Sequence, residues 1–345
     1  MGWRLLRLPA APLPAKARVY LKHWDASMMW LVLRSLGRRS FIDQPCRMTV
    51  PASFEPKAAV DEAYRLTPGE IRDFYTRGFL EPFTVLDGQK AAEVYRTLRH
   101  KMTKPSRIFG FPSVRDRHLD SRALMGLIQQ PAIVERAAQL LGPDLLCWRS
   151  QIFAKAPGGA PIHWHQASTY LVEDRFWPIL EPPDRDRLFQ LTAWIALTPS
   201  NEENGCLAFI PGSHRRINTI RPSRDHAFYH AAFDLDFRED PRLAVPMVME
   251  PGQCVLFSER VIHGSGENRT AETRFAVNFR IVPCDVAVYR GKSHHFTVHR
   301  PDEKAPVYPL AKWGVVTLRG RDRHGLNRHF RRREARRQTR ALPCP

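Results

Sequence analysis

The sequence lacks a long apolar run. Its longest, Met28 to Leu33, falls far short of the roughly 18–20 residues that cross a bilayer. It lacks any C-x-x-C pair among its 6 cysteines (Cys46, Cys147, Cys206, Cys254, Cys284 and Cys344), which argues against a disulfide framework and a thiolate zinc site and favours a reducing, cytoplasmic setting. It is also short of acid, with 35 Asp and Glu against 53 Lys and Arg, and the formal charge of +18 taken whole points to an anionic partner such as nucleic acid. Apolar material is not short: 43% hydrophobic and 10% aromatic residues over 345 positions exclude the disordered and fibrous classes.

The charge is unevenly placed. Residues 1–65 carry +6 and residues 319–345 carry +8, which leaves +4 for the 253 residues from 66 to 318. The expected organisation is a basic N-terminal extension (1–65), one large domain (66–318) and an Arg-rich tail (319–345). Nucleic acid is not the expected partner, because the excess sits in the two extensions. The N-terminal extension makes a poor signal peptide, since its apolar segment begins late, and Leu6 stands where a myristoylation signal needs Ser or Thr. It reads either as an interfacial helix giving peripheral membrane contact or as sequence upstream of a true start at Met48.

Within 66–318 the helical signals come first. Thr67, Pro68 and Glu70 have the spacing of a capping box with proline at the first helical position, so a helix is expected over 68–76, stopped by Gly78. Further helices are expected over 88–101 and 131–141. The pattern then changes to β-branched and aromatic runs bounded by Gly, Pro or Asn, predicting strands over 146–153, 188–197, 206–210, 254–257 and 275–282. Helices followed by strands, without βαβ alternation, imply an α+β, mainly β domain built on a sandwich or barrel. The charged, proline-bearing stretch 173–187 reads as a lid.

Two histidine positions rise above a background of 14. One is the segment His163-Trp164-His165-Gln166-Ala167, whose odd-numbered members share a face if the segment is a strand. The other is His263, just after the expected strand 254–257.

The order W-H-Q-A (164–167), T-A-W-I-A-L (192–197), E-N-G-C-L-A-F-I-P-G-S-H (203–214), P-G-Q-C-V-L-F (251–257), His263 and R-F-A-V-N-F-R (274–280) resembles the phytanoyl-CoA dioxygenase family of iron(II)/2-oxoglutarate oxygenases. Within it, the resemblance is to the non-haem iron halogenases. It implies a double-stranded β-helix (a cupin-like jelly roll) with flanking helices. It also implies Fe(II), 2-oxoglutarate and O2, with chloride as a further ligand. In the family's hydroxylases an H-x-D pair and a distal histidine hold the iron. The matching histidines are His165 and His263, and the carboxylate position is Ala167. Alanine cannot ligate, and the space it leaves suits a halide, so His165, His263 and Ala167 form the implied catalytic set.

By the same resemblance Arg274 clamps the distal carboxylate of 2-oxoglutarate with Trp194 beside it, while Thr192 and Arg280 border the halide with Ala167. A halide-shell asparagine of the halogenases falls on Val172, a departure from the pattern. His163 matches no ligand, and His214 shapes a turn. The implied activity is chlorination of an unactivated aliphatic carbon, on a small molecule or on an acyl or aminoacyl group tethered to an acidic carrier protein. Two alternatives stand beside it. One is a hydroxylase with water, Glu173 or Asp174 in the third position; the other is a catalytically dead basic binding module.

Overall fold

The computed structural model describes residues 48–166, 179–184, 186–222, 233–296 and 307–331. Four helices come first among them: α1 (Pro68–Arg77), α2 (Gly88–Met102), α3 (Arg122–Ile128) and α4 (Pro131–Leu141). The expected capping box forms at α1. Glu70 N donates to Thr67 Oγ1 at 3.2 Å and Thr67 N to Glu70 Oε2 at 2.8 Å. Gly78 ends α1 at φ 96°, and a Cβ there would lie 2.7 Å from the His214 ring, so the stop is both conformational and steric. The seven-residue α3 was not expected from the sequence; Ser121 caps it.

Ten strands build the core: β1 (Phe83–Thr84), β2 (Leu145–Lys155), β3 (Ile162–His165), β4 (Leu191–Ala196), β5 (Leu207–Phe209), β6 (Val245–Pro246), β7 (Gln253–Ser258), β8 (His263–Ser265), β9 (Arg274–Pro283) and β10 (Val316–Arg319). They form a six-stranded antiparallel sheet, β1-β7-β4-β9-β2-β10, facing a four-stranded antiparallel sheet, β3-β8-β5-β6. This is the double-stranded β-helix with flanking helices.

Alternation along β9 explains how the larger sheet serves two purposes. Phe275, Val277, Phe279 and Ile281 join one apolar cluster with the helix residues Ile71, Phe74, Leu98, Leu124, Ile133 and Ala137, so the helices cover that face. The intervening Arg274, Ala276, Asn278 and Arg280 face the lumen between the sheets. Their register partners are Lys155, Phe153, Gln151 and Arg149 on β2, with Ala196, Trp194 and Thr192 on β4.

Packed structure continues past both expected boundaries. Met48 is buried and its N–H donates to Arg215 O, and the Phe54 ring lies 6.2 Å from that of Tyr75. At the other end Arg319 ion-pairs with Glu135 at 3.1 Å, and Phe330 N donates to Val315 O. The described end of the expected lid is not structureless: Leu180–Glu181 pairs with Ala287–Val288, because Ile179 and Leu180 bury into a second apolar cluster around Trp148 and Trp313. Residues 173–178 and 185 of that stretch, residues 1–47 and the tail from 332 lie outside the described residues.

Candidate active site

His165 ends β3 and His263 begins β8, and the two are direct cross-strand partners. Their rings stand 4.0 Å apart at 47°. His165 Nδ1 bonds His163 O at 2.9 Å, and His263 Nδ1 bonds Val261 O at 2.9 Å. A carbonyl only accepts, so both Nδ1 atoms carry the proton and both Nε2 atoms carry a lone pair. Burial, then the neighbouring His165 and Arg280, holds the His263 pKa well below its ordinary value, so the imidazole stays neutral. Two neutral imidazoles paired in this way suit a divalent transition metal. Phe257 and Phe209, with rings 5.0 and 5.9 Å from His263, wall the pair from the protein interior.

The backbone around the pair is fixed by buried polar groups. Gln166, fully buried, donates to Arg216 O at 2.9 Å and to Arg260 O, and accepts from Asn218 N at 2.7 Å. One side chain thus joins the end of β3 to the turn that leads into β8. Within that turn Arg260 Nε pairs with Glu259 Oε1 at 3.0 Å, both side chains wholly buried. Gly264 lets the strands close, since a Cβ there would meet Ile162 O at 2.8 Å.

Across the lumen the larger sheet presents cations. Arg274 is buried with its guanidinium 5.3 Å over the Trp194 ring. Its register partner Lys155 crosses to the smaller sheet, donating to Ser265 Oγ at 2.8 Å and to Gly266 O. Burial and then the Arg274 charge lower the Lys155 pKa to about 8. Two buried cations placed side by side repel one another, and a bound carboxylate relieves that repulsion. Farther along β9, Arg280 pairs in register with Thr192, whose buried Oγ1 has no hydrogen-bond partner among the described residues. Histidine pair, cation pair and unsatisfied hydroxyl together fit a metal with an anionic chelator.

The structure therefore gathers His165, His263, Arg274, Trp194, Thr192 and Arg280 about one lumen. Ala167 and Val172 lie outside the described residues. Among the described residues no group of three or more His, Cys, Asp or Glu side chains could hold a metal. His163 is exposed, and buried His214 bonds Tyr75 O at 3.1 Å, away from the pair. Cys147, Cys206, Cys254 and Cys284 are buried and free. Sequence reasoning missed Gln166, Lys155 and Asn278. For Lys155 and Asn278 the strand phase carried a signal, since each is an even number of residues from a polar lumen-facing neighbour on its own strand.

The profile of the phytanoyl-CoA dioxygenase (PhyH) family matches residues 66–276. Among solved structures, "CytC3 with Fe(II) and alpha-ketoglutarate" superposes with a TM-score of 0.62 at 27% identity, covering 77% of this chain and 93% of that one. A non-heme monooxygenase, ThoJ, superposes with a TM-score of 0.58 at 22% identity over 76% of this chain and 87% of its own, a likeness of fold. Among curated proteins, a probable alpha-ketoglutarate-dependent hypophosphite dioxygenase of Stutzerimonas stutzeri is 30% identical over 164 residues, 47% of this chain and 53% of the relative. The peroxisomal phytanoyl-CoA dioxygenase of Homo sapiens is 27% identical over 161 residues, 45% of this chain and 44% of the relative. The chain spans about half the length of the curated relatives it matches. With the family profile covering more than half of the sequence and the two-histidine lumen in place, this chain belongs to the phytanoyl-CoA dioxygenase family.

Proposed function

We propose that the protein is an Fe(II)/2-oxoglutarate-dependent enzyme of small molecules that halogenates an unactivated aliphatic carbon. The observation that carries the reading is the intact histidine pair, His165 and His263, combined with alanine at position 167, where a ligating carboxylate would stand. When bound, iron with 2-oxoglutarate and O2 supplies the oxidising power to take hydrogen from carbon.

The chain's own residues then have separable tasks. His165 and His263 offer Nε2 lone pairs in a fixed tautomer. Arg274 and Lys155 hold the distal carboxylate of the keto acid, a bidentate partner for the guanidinium. Trp194 closes the wall beside them and excludes water. Thr192 and Arg280 offer a hydroxyl and a guanidinium to an anion in the lumen. A halide there carries the same single negative charge as the aspartate whose position alanine takes, so it leaves the charge of the site unchanged. The substrate, whether a free small molecule or a carrier-tethered acyl group, is selected by the lumen face that holds the half-buried Gln151 and Phe153.

Anaerobic titration tests the reading. Protein loaded with Fe(II) and 2-oxoglutarate is expected to shift its metal-to-ligand charge-transfer absorption on addition of chloride, and an absorption indifferent to chloride up to molar concentration overturns the proposal. The second reading is hydroxylation, favoured by the dioxygenase and monooxygenase names of the relatives. In that case the product gains the mass of oxygen with chloride present.

A further inference from the structure

Asn278 sits on the lumen face of β9, four residues after Arg274 and two before Arg280. It is 5% exposed, and its register partners are Trp194 on β4 and Gln151 on β2. Its Oδ1 has no hydrogen-bond partner among the described residues, and neither does Thr192 Oγ1, which lies on the adjacent diagonal because Thr192 is opposite Arg280. Two buried polar atoms left unsatisfied at diagonal positions of one sheet face are costly for a core and call for a ligand. Packing gives no reason for them, since valine and leucine would fill the same positions without the loss.

Both groups can turn. A half-rotation of the carboxamide exchanges its oxygen for its NH2, and the threonine hydroxyl rotates freely, so each can present a hydrogen to an anion.

We infer that Asn278 is a halide-binding residue, donating Nδ2–H to the anion that Thr192 and Arg280 also serve. The inference rests on the halogenase reading and deepens it, assigning halide as the ligand of an otherwise unexplained buried carboxamide.

The test compares wild type with Asn278→Leu and Asn278→Asp, anaerobic and loaded with Fe(II) and 2-oxoglutarate, titrated with sodium chloride and followed by charge-transfer absorption. The expected result is a chloride dissociation constant weakened about tenfold by leucine and further by aspartate, whose charge repels the anion. The 2-oxoglutarate dissociation constant, measured without chloride, stays within about twofold, and the melting temperature of the leucine variant is not lowered, because no internal hydrogen bond is lost. If leucine leaves a chloride-responsive enzyme with unchanged chloride affinity, the assignment to Asn278 falls while the halogenase reading stands. If 2-oxoglutarate affinity falls instead, the carboxamide serves the keto acid and the assignment falls. If wild type itself ignores chloride, both fall. Should the leucine variant fail to fold, Asn278→Ala removes the donor with less bulk and answers the same question.

Discussion

At the scale of single residues, positions 166 and 167 carry different tasks in the proposed site. Alanine at 167 supplies no ligand, and Ala167→Asp is expected to restore a carboxylate there. That variant should lose the chloride response and any chlorination, and it should add oxygen to the product instead, read by product mass. A variant that chlorinates at the parental rate contradicts the assigned site. Gln166 offers the metal nothing, since its carboxamide ties β3 to the backbone at Arg216, Asn218 and Arg260. Gln166→Leu keeps the volume and removes the ties. Metal affinity, titrated with Fe(II) or Co(II) under anaerobic conditions, is expected to fall about 10–100-fold, the range found when groups behind a ligand are removed. Restoring most of that affinity with Gln166→Glu would point to the accepted bond from Asn218; failure to restore it points to the two donated bonds.

At the scale of elements, local chemistry and tertiary packing contributed differently to what could be read in advance. The α1 helix was legible because Thr67, Pro68, Glu70 and Gly78 specify start and stop within the element itself. Removing the cap by Thr67→Ala is expected to cost about 1 kcal/mol in urea unfolding, with ligand affinities unchanged. The strands were legible as runs, but their ends were not: β2 extends to Lys155 and β9 starts at Arg274, since charged residues at those ends face a polar lumen rather than solvent. The histidine pair was legible through family motifs. Gln166 was not, because its value comes from partners 50 and 94 residues away, which no local pattern encodes. The helix α3 was missed for want of length, having only seven residues and an apolar face already suited to a core strand.

At the scale of the whole molecule, buried titratable groups couple stability to pH. His118 and His214 are buried, and burial lowers their pKa values to about 3 and about 4. Each group is neutral when folded but takes a proton below its ordinary value of about 6.5 when unfolded, so its contribution is full above that value and is lost as pH falls. Buried Asp116, raised to about 6 chiefly by burial, acts in the opposite sense between its unfolded and folded values. A difference measurement isolates one histidine. The stability gap between wild type and His118→Gln is expected to shrink by about 2 kcal/mol from pH 7 to pH 5, measured by urea midpoints.

The alternation in β9 has a consequence for how this chain tolerates change. Stability and ligand binding are written on one strand as two interleaved messages, read at alternate letters. Phe279→Ala should erase part of one message, costing about 3–5 kcal/mol, while substitutions at position 278 edit only the other. Inserting a single alanine between Ala276 and Val277 corrupts both together, because every letter beyond it changes track: phenylalanine turns toward the ligands and arginine toward the helices. The expected result is an insoluble or unfolded protein, whereas inserting two residues restores the phase and leaves a folded chain with its lumen displaced. Reading frame, usually a property of nucleic acid, is thus also a property of this strand.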